Sequence, residues 1–201
     1  MEKQIDYVLV NYGMEEMARR KHIASIVSKK YENWEKGFVD SFWSKVSYTK
    51  LDYQLRPFNN PKDVAKWKAA GYQGDNFTGM LCDMNQEQPA YTKDFIDWFE
   101  RYYNAKNVGV SFFKMPTGYI IPTHRDTYKK YRSLFKCSLK NIMRVVVFLD
   151  DWKPGHVFEI DGQSITNYKK GDYVFWRGNT AHMAANIGLL PRYTMQITGH
   201  L

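Results

Sequence analysis

From Asn107 to the C-terminus the hydrophobic period shortens towards two, and turn dipeptides recur at intervals too short for helices. Alternation of this kind predicts strands at Val108–Lys114, Tyr119–His124, Ile142–Leu149, Val157–Ile160, Ser164–Tyr168, Asp172–Trp176, His182–Asn186 and Arg192–Thr198. Asp161-Gly162 is a hairpin signal, and Pro154-Gly155 and Lys170-Gly171-Asp172 are further turns. About eight short strands with tight connections can bury their apolar faces only by packing two antiparallel sheets together, which predicts a jelly roll.

The preceding residues read differently. Ile5–Val10 is a short β-like run. Met14, Met17, Ala24, Val27, Tyr31 and Trp34 keep mostly three- and four-residue steps, which predicts an amphipathic helix. Asn60-Pro61 is a helix start, Val64 and Trp67 give that helix an apolar side, and Gly71 ends it. Phe95, Trp98, Phe99, Tyr102 and Tyr103 form an aromatic stripe of the kind that packs into a core. The chain is therefore expected to be α+β and a single domain over residues 1–201, with 1–105 a mainly helical buttress and 106–201 the β core. No repeat, low-complexity tract or Gly/Ser/Pro-rich linker divides it.

Composition closes several alternatives. Two cysteines, Cys82 and Cys137, exclude a disulfide scaffold and every Cys-based zinc module, and read as free thiols. The longest apolar run, Val145–Leu149, is far short of a membrane span, and residues 1–6 lack the apolar core of a secretory signal. These features make a cytoplasmic location the expectation. The formal net charge of +8 is concentrated, because His124 to Lys140 holds six Lys/Arg against one acid, Asp126. The stretch reads either as a solvated basic loop or as a nucleic-acid contact.

Five histidines are available, at 22, 124, 156, 182 and 200. His124 and Asp126 sit two apart, so an extended chain points both to one face, giving two parts of a facial triad for Fe(II). His182 is the natural third ligand. Ten residues on, Arg192 and Thr194 again share a strand face. A guanidinium inside an apolar barrel needs a matching anion, and a carboxylate held bidentately is the best match. An internal ion pair is the bland alternative, although the last strand contains no acid. His156, after Pro154-Gly155, reads as a surface turn residue, and His22 and His200 as residues without a role.

His124-x-Asp126, His182 and Arg192-x-Thr194 together resemble the signature of the Fe(II)- and 2-oxoglutarate-dependent dioxygenases. Pro116-Thr-Gly-Tyr-Ile-Ile-Pro-Thr-His-Arg-Asp126, Met143-Arg-Val-Val-Val-Phe-Leu149, Gly171-Asp-Tyr-Val-Phe-Trp176 and His182-x-x-x-Asn186 are similar to the aspartyl/asparaginyl β-hydroxylase branch, or a prolyl hydroxylase-like one. The resemblance covers about residues 108–200. It departs at Asp126, because the characterised animal member of that branch lacks the carboxylate ligand, and around Arg144, where the branch's usual motif differs.

The resemblance implies a double-stranded β-helix with Fe(II) held by His124, Asp126 and His182 as the catalytic metal ligands. It implies 2-oxoglutarate as cosubstrate, its far carboxylate on Arg192 and Thr194, and O₂ as oxidant, with release of succinate and CO₂. Arg144, Tyr119 and Asn186 are candidates for further cosubstrate contacts, and Trp176 and Phe148 for the pocket wall. The implied substrate is a C–H bond of a peptidyl or free amino-acid side chain. Two other readings stay open: a cupin-like metalloprotein of different chemistry, and a nucleic-acid-directed oxygenase or binding module. Residues 127–140, carrying Lys129, Lys130, Arg132 and Lys136, are expected to be an extended lid that draws an acidic or phosphate-bearing substrate.

Overall fold

The computed structural model describes residues 14–30, 49–52, 61–71, 78–83 and 92–201. Its strands are β1 (Thr49–Asp52), β2 (Thr78–Asp83), β3 (Lys106–Met115), β4 (Tyr119–Arg125), β5 (Ile142–Phe148), β6 (His156–Ile160), β7 (Gln163–Ser164), β8 (Tyr173–Arg177), β9 (Ala181–Asn186) and β10 (Arg192–His200). The helices are α1 (Met14–Lys30), α2 (Pro61–Ala69), α3 (Lys93–Tyr103) and α4 (Lys129–Phe135), with a 3₁₀ turn at Leu139–Asn141.

One sheet has the order β1-β2-β3-β10-β5-β8 and the other β4-β9-β6-β7, with every pairing antiparallel. Counted from β3, the major sheet holds the first, eighth, third and sixth core strands and the minor sheet the second, seventh, fourth and fifth. That interleaving defines a double-stranded β-helix, a jelly roll of the cupin kind. Period two then separates two cores. Val110, Phe112, Met143, Val145, Val147, Met195 and Ile197 face outward and meet the helices. Phe113, Met115, Val146, Phe148, Val174 and Trp176 face inward and fill the barrel.

The outer core is capped by α1 and α3. Phe95, Trp98 and Phe99 are completely buried, and the Trp98 indole donates to the Arg19 carbonyl at 3.1 Å. Tyr103 stacks on Phe175 at 4.7 Å and donates to the Tyr173 hydroxyl at 3.1 Å. On β10, a Cβ added to Gly199 would lie 3.0 Å from Ala105 Cβ and 3.1 Å from Phe99 Cε1, so any side chain there would have to push sheet and helix apart slightly.

Four expectations change. The apolar side of α1 begins about two turns later than its methionines suggest: Met14 is 89% exposed, while Ile23, Ile26 and Val27 carry the packing. Residues 1–105 are not only a helical buttress, since β1 and β2 extend the major sheet beyond β3. The strand expected at Ser164–Tyr168 stops at Ser164, because Asn167 takes a left-handed φ of 56° and Ile165 and Tyr168 turn into the barrel. The expected extended lid at 127–140 is instead the helix α4 followed by a 3₁₀ turn. The β-like run at Ile5–Val10, the end of the first helix at Tyr31 and Trp34, and the side chains of Val64 and Trp67 lie outside the described residues. The helix start at Pro61 and the stop at Gly71, φ 87°, fall where the sequence puts them.

Candidate metal centre

His124 on β4 and His182 on β9 lie directly opposite each other in the minor sheet, with ring centroids 4.3 Å apart. Simple alternation would not put them there. Up to Ile121, which packs into the barrel, β4 keeps one register with β9; the pairing then slips by one residue before His124. Pro122 and Thr123 together oppose Met183, a bulge that suits proline because one ladder donor is dispensable. The slip turns His124 into the barrel mouth, and Asp126 follows two residues on, just past the strand end.

Each imidazole is oriented by its own strand. His124 Nδ1 donates to the Pro122 carbonyl at 2.8 Å and His182 Nδ1 to the Thr180 carbonyl at 3.0 Å. Both Nε2 lone pairs are thereby left for a metal. They converge on one carboxylate: His124 Nε2 lies 3.7 Å from Asp126 Oδ1 and His182 Nε2 3.7 Å from Asp126 Oδ2. All three ligand atoms fall within 4.8 Å of one another.

The charges are set for coordination. Burial and the neighbouring His124 push the His182 imidazole down to about 4, so it is neutral at physiological pH. Burial, the largest single influence, would raise the Asp126 carboxyl, yet the Arg144 guanidinium and the two histidines together outweigh it and hold Asp126 well below the usual carboxylate range. Arg144 Nη1 donates to Asp126 Oδ2 at 2.7 Å and its Nε to Thr198 Oγ1 at 3.2 Å, with Tyr128 stacked 4.8 Å from the guanidinium. Two imidazoles and one ionised carboxylate, pre-aimed at a common point, fit a first-row divalent metal held on one face.

Deeper in the barrel lies a second unusual group. Arg192 is only 3% exposed, and its Nε and Nη2 have no hydrogen-bond partner among the described residues. Its guanidinium sits 5.2 Å from the Phe158 ring and 5.7 Å from Phe148, and burial lowers its pKa although the Tyr168 hydroxyl lies beside it. An uncompensated buried cation costs on the order of several kcal/mol, which a bound carboxylate would recover. Thr194, also buried, shares the face. A line of rings joins the two features, Phe158 to Trp176 at 6.3 Å and Trp176 to His182 at 5.1 Å.

The other sequence candidates divide. Tyr119 packs, half-buried, against the inner core. Asn186 is fully buried but spends both amide protons on the carbonyls of Met115 and Leu190, each at 2.9 Å, and accepts from Gly188 N. It braces the end of the barrel and has no donor left for a cosubstrate. Arg144 reaches the centre through Asp126. His156 is not a surface turn residue: it is 2% exposed, donating through Nε2 to the Leu190 carbonyl at 3.0 Å with Tyr168 at its Nδ1. His22 bonds Tyr102 and His200 bonds Tyr131, both outside the three-residue cluster. Tyr128 and Tyr168, which sequence reasoning passed over, wall the two features. Tyr128 could have been suspected, two residues beyond Asp126; for Tyr168 the sequence holds no signal.

No protein-family model matches the chain, and no curated protein matches its sequence. Solved structures similar to it include a prolyl-4-hydroxylase from Pseudomonas putida, at 12% identity and TM-score 0.49, covering 89% of this chain and 98% of that one. Another is the non-heme α-ketoglutarate-dependent epimerase SnoN of nogalamycin biosynthesis, at 11% identity and TM-score 0.47, covering 78% of each chain. A third is a predicted oxalate decarboxylase from Thermotoga maritima, at 14% identity and TM-score 0.43, covering 79% of this chain and 96% of that one. The strand order and side-chain geometry define a double-stranded β-helix with a His–Asp–His site able to hold a metal.

Proposed function

We propose that this chain is an Fe(II)- and 2-oxoglutarate-dependent oxygenase that hydroxylates a C–H bond of a peptidyl or free amino-acid side chain, with release of succinate and CO₂. The observation that carries the reading is Arg192, a buried guanidinium lacking partners at Nε and Nη2, in the same barrel as the His124–Asp126–His182 cluster. A metal site alone needs no such group; a dicarboxylate cosubstrate does. The choice of an amino-acid side chain follows the resemblance to the β-hydroxylase branch.

His124, Asp126 and His182 would hold the iron, and bound Fe(II) with 2-oxoglutarate supplies the oxygen-activating chemistry. The Pro122 and Thr180 carbonyls fix the two imidazole tautomers. Arg144 grips Asp126 Oδ2, steadying the carboxylate and keeping it ionised. Arg192 and Thr194 would take the far carboxylate of the cosubstrate, with the rings of Phe148 and Phe158 beside the guanidinium.

Anaerobic Fe(II) titration with and without 2-oxoglutarate tests this. A weak visible charge-transfer band that needs both is expected. Arg192→Ala should retain iron while raising the 2-oxoglutarate requirement about 30-fold or more. Metal binding without the band would favour a cupin of other chemistry, and no metal binding would end the reading.

A further inference from the structure

The segment leaving Asp126 has an unusual charge balance. Residues 127–140 contain Lys129, Lys130, Arg132, Lys136 and Lys140 and no acid, and all five cations are exposed. Several cations elsewhere find local carboxylates: Arg19 and Arg20 on Glu16, Lys93 on Asp97, Lys153 on Asp150, Lys169 on Asp151. Among the described residues none of the five is paired with a carboxylate.

Their support is held from the inside. Tyr128, at a left-handed φ of 49°, turns the chain into α4 and lies buried against Arg144, which itself grips Asp126. One helical turn on, Tyr131 donates to the Asn107 carbonyl at 3.0 Å and meets His200 Nδ1 at 3.1 Å, with Phe135 packed on its ring at 4.7 Å. Tyr131 and Phe135, four residues apart, form the only inward face of α4. The 3₁₀ turn abuts the connection that carries the chain from β8 in one sheet to β9 in the other, where a Cβ on Gly178 would stand 2.7 Å from the Leu139 carbonyl. That connection also supplies the Thr180 carbonyl that orients His182. The cations are thus displayed on an anchored collar that begins three residues from one metal ligand and ends against the strand connection carrying another.

We propose that this collar receives an acidic peptide segment, so that the substrate of the centre is a side chain flanked by Asp or Glu residues; the proposal rests on the oxygenase reading above. A collar with no local counterions attracts carboxylates at long range and lowers the cost of bringing them near. Peptide fits better than nucleic acid because single-stranded nucleic acid is gripped by exposed aromatic rings. Here Tyr128, Tyr131 and Phe135 all turn inward, and none of the exposed large apolar residues among the described ones is aromatic. Leu134, 68% exposed on α4, instead offers an aliphatic contact between the charges.

The test is fluorescence anisotropy with a short labelled peptide rich in Asp and Glu, its Asn/Gln counterpart, and a thymidine oligonucleotide of matched charge. The wild-type chain should prefer the acidic peptide to the amide one by about tenfold or more, and the preference should shrink as salt is raised. Lys129→Ala/Lys130→Ala/Arg132→Ala/Lys136→Ala should lose that preference while keeping its melting temperature and the Fe(II)/2-oxoglutarate band. An unchanged preference in a folded variant, salt-independent binding by the wild type, or tighter binding of the oligonucleotide would overturn the proposal. If the fourfold variant does not fold, Lys129→Gln/Lys130→Gln carries the comparison, with about half the loss expected. A band without acidic preference removes the collar alone; acidic preference without the band removes the oxygenase reading and leaves the collar as a binding surface.

Discussion

On the outer side of the major sheet, Val145, Val147, Met195 and Ile197 meet Trp98, Phe99 and Ile23, and polar atoms such as Trp98 Nε1 and the Tyr103 hydroxyl find partners. One residue over on the same strands, Val146 and Phe148 share the barrel with Arg144, Arg192, Thr194 and Thr198. There the Arg192 Nε and Nη2 are buried without partners among the described residues. The difference separates what a sheet needs to be stable from what it needs to bind. The outer face is packed for stability, whereas the inner face keeps costs that only a ligand relieves.

Mutations can break that contrast. The largest effect is expected from Trp98→Ala, which empties the outer core and should cost about 3–5 kcal/mol by denaturant unfolding. Metal affinity, measured in the same samples below the transition, should stay within about twofold, since the inner face is untouched. His182→Ala should do the reverse: anaerobic Fe(II) titration should show a loss of about 100-fold or more in affinity, with the denaturation midpoint of the metal-free protein little changed. Arg192→Met sharpens the comparison, because removing a buried uncompensated cation should raise metal-free stability by about 1–4 kcal/mol while abolishing the 2-oxoglutarate response. Lower stability in that variant would mean that Arg192 is a structural residue. The smallest effect belongs to Gly199→Ala, where a Cβ would crowd Ala105, Phe99 and Val108, costing about 1–3 kcal/mol in the same unfolding experiment.

The legible parts of this molecule are those that repeat locally. Eight core strands and the shared faces of His124 with Asp126 and of Arg192 with Thr194 follow from alternation, a property of neighbouring residues. What stayed hidden depends on distant partners. β1 and β2 are short and acquire strand character from pairing outward from β3, with Gly79 interrupting any alternation in β2. His156 follows a turn dipeptide, yet the Leu190 carbonyl 34 residues away draws it inside. The Arg144–Asp126 ion pair joins β5 to the residue just past the end of β4 in the other sheet, which no spacing encodes. The helix α4 was masked by its own charges, its two anchoring aromatics being too few to set a period.

The bulge in β4 has one more consequence. Before it the strand serves the barrel; after it the strand serves the metal, and the two duties run in opposite phase along one backbone. Inserting one residue between Met183 and Ala184 would give the two strands equal counts across the bulge, swinging His124 and His182 to the solvent side while Ile121 and Ala184 keep their places. Such a chain should retain its β-sheet circular dichroism and bind no iron, so the whole capacity for coordination hinges on a one-residue offset that the surrounding jelly roll can do without.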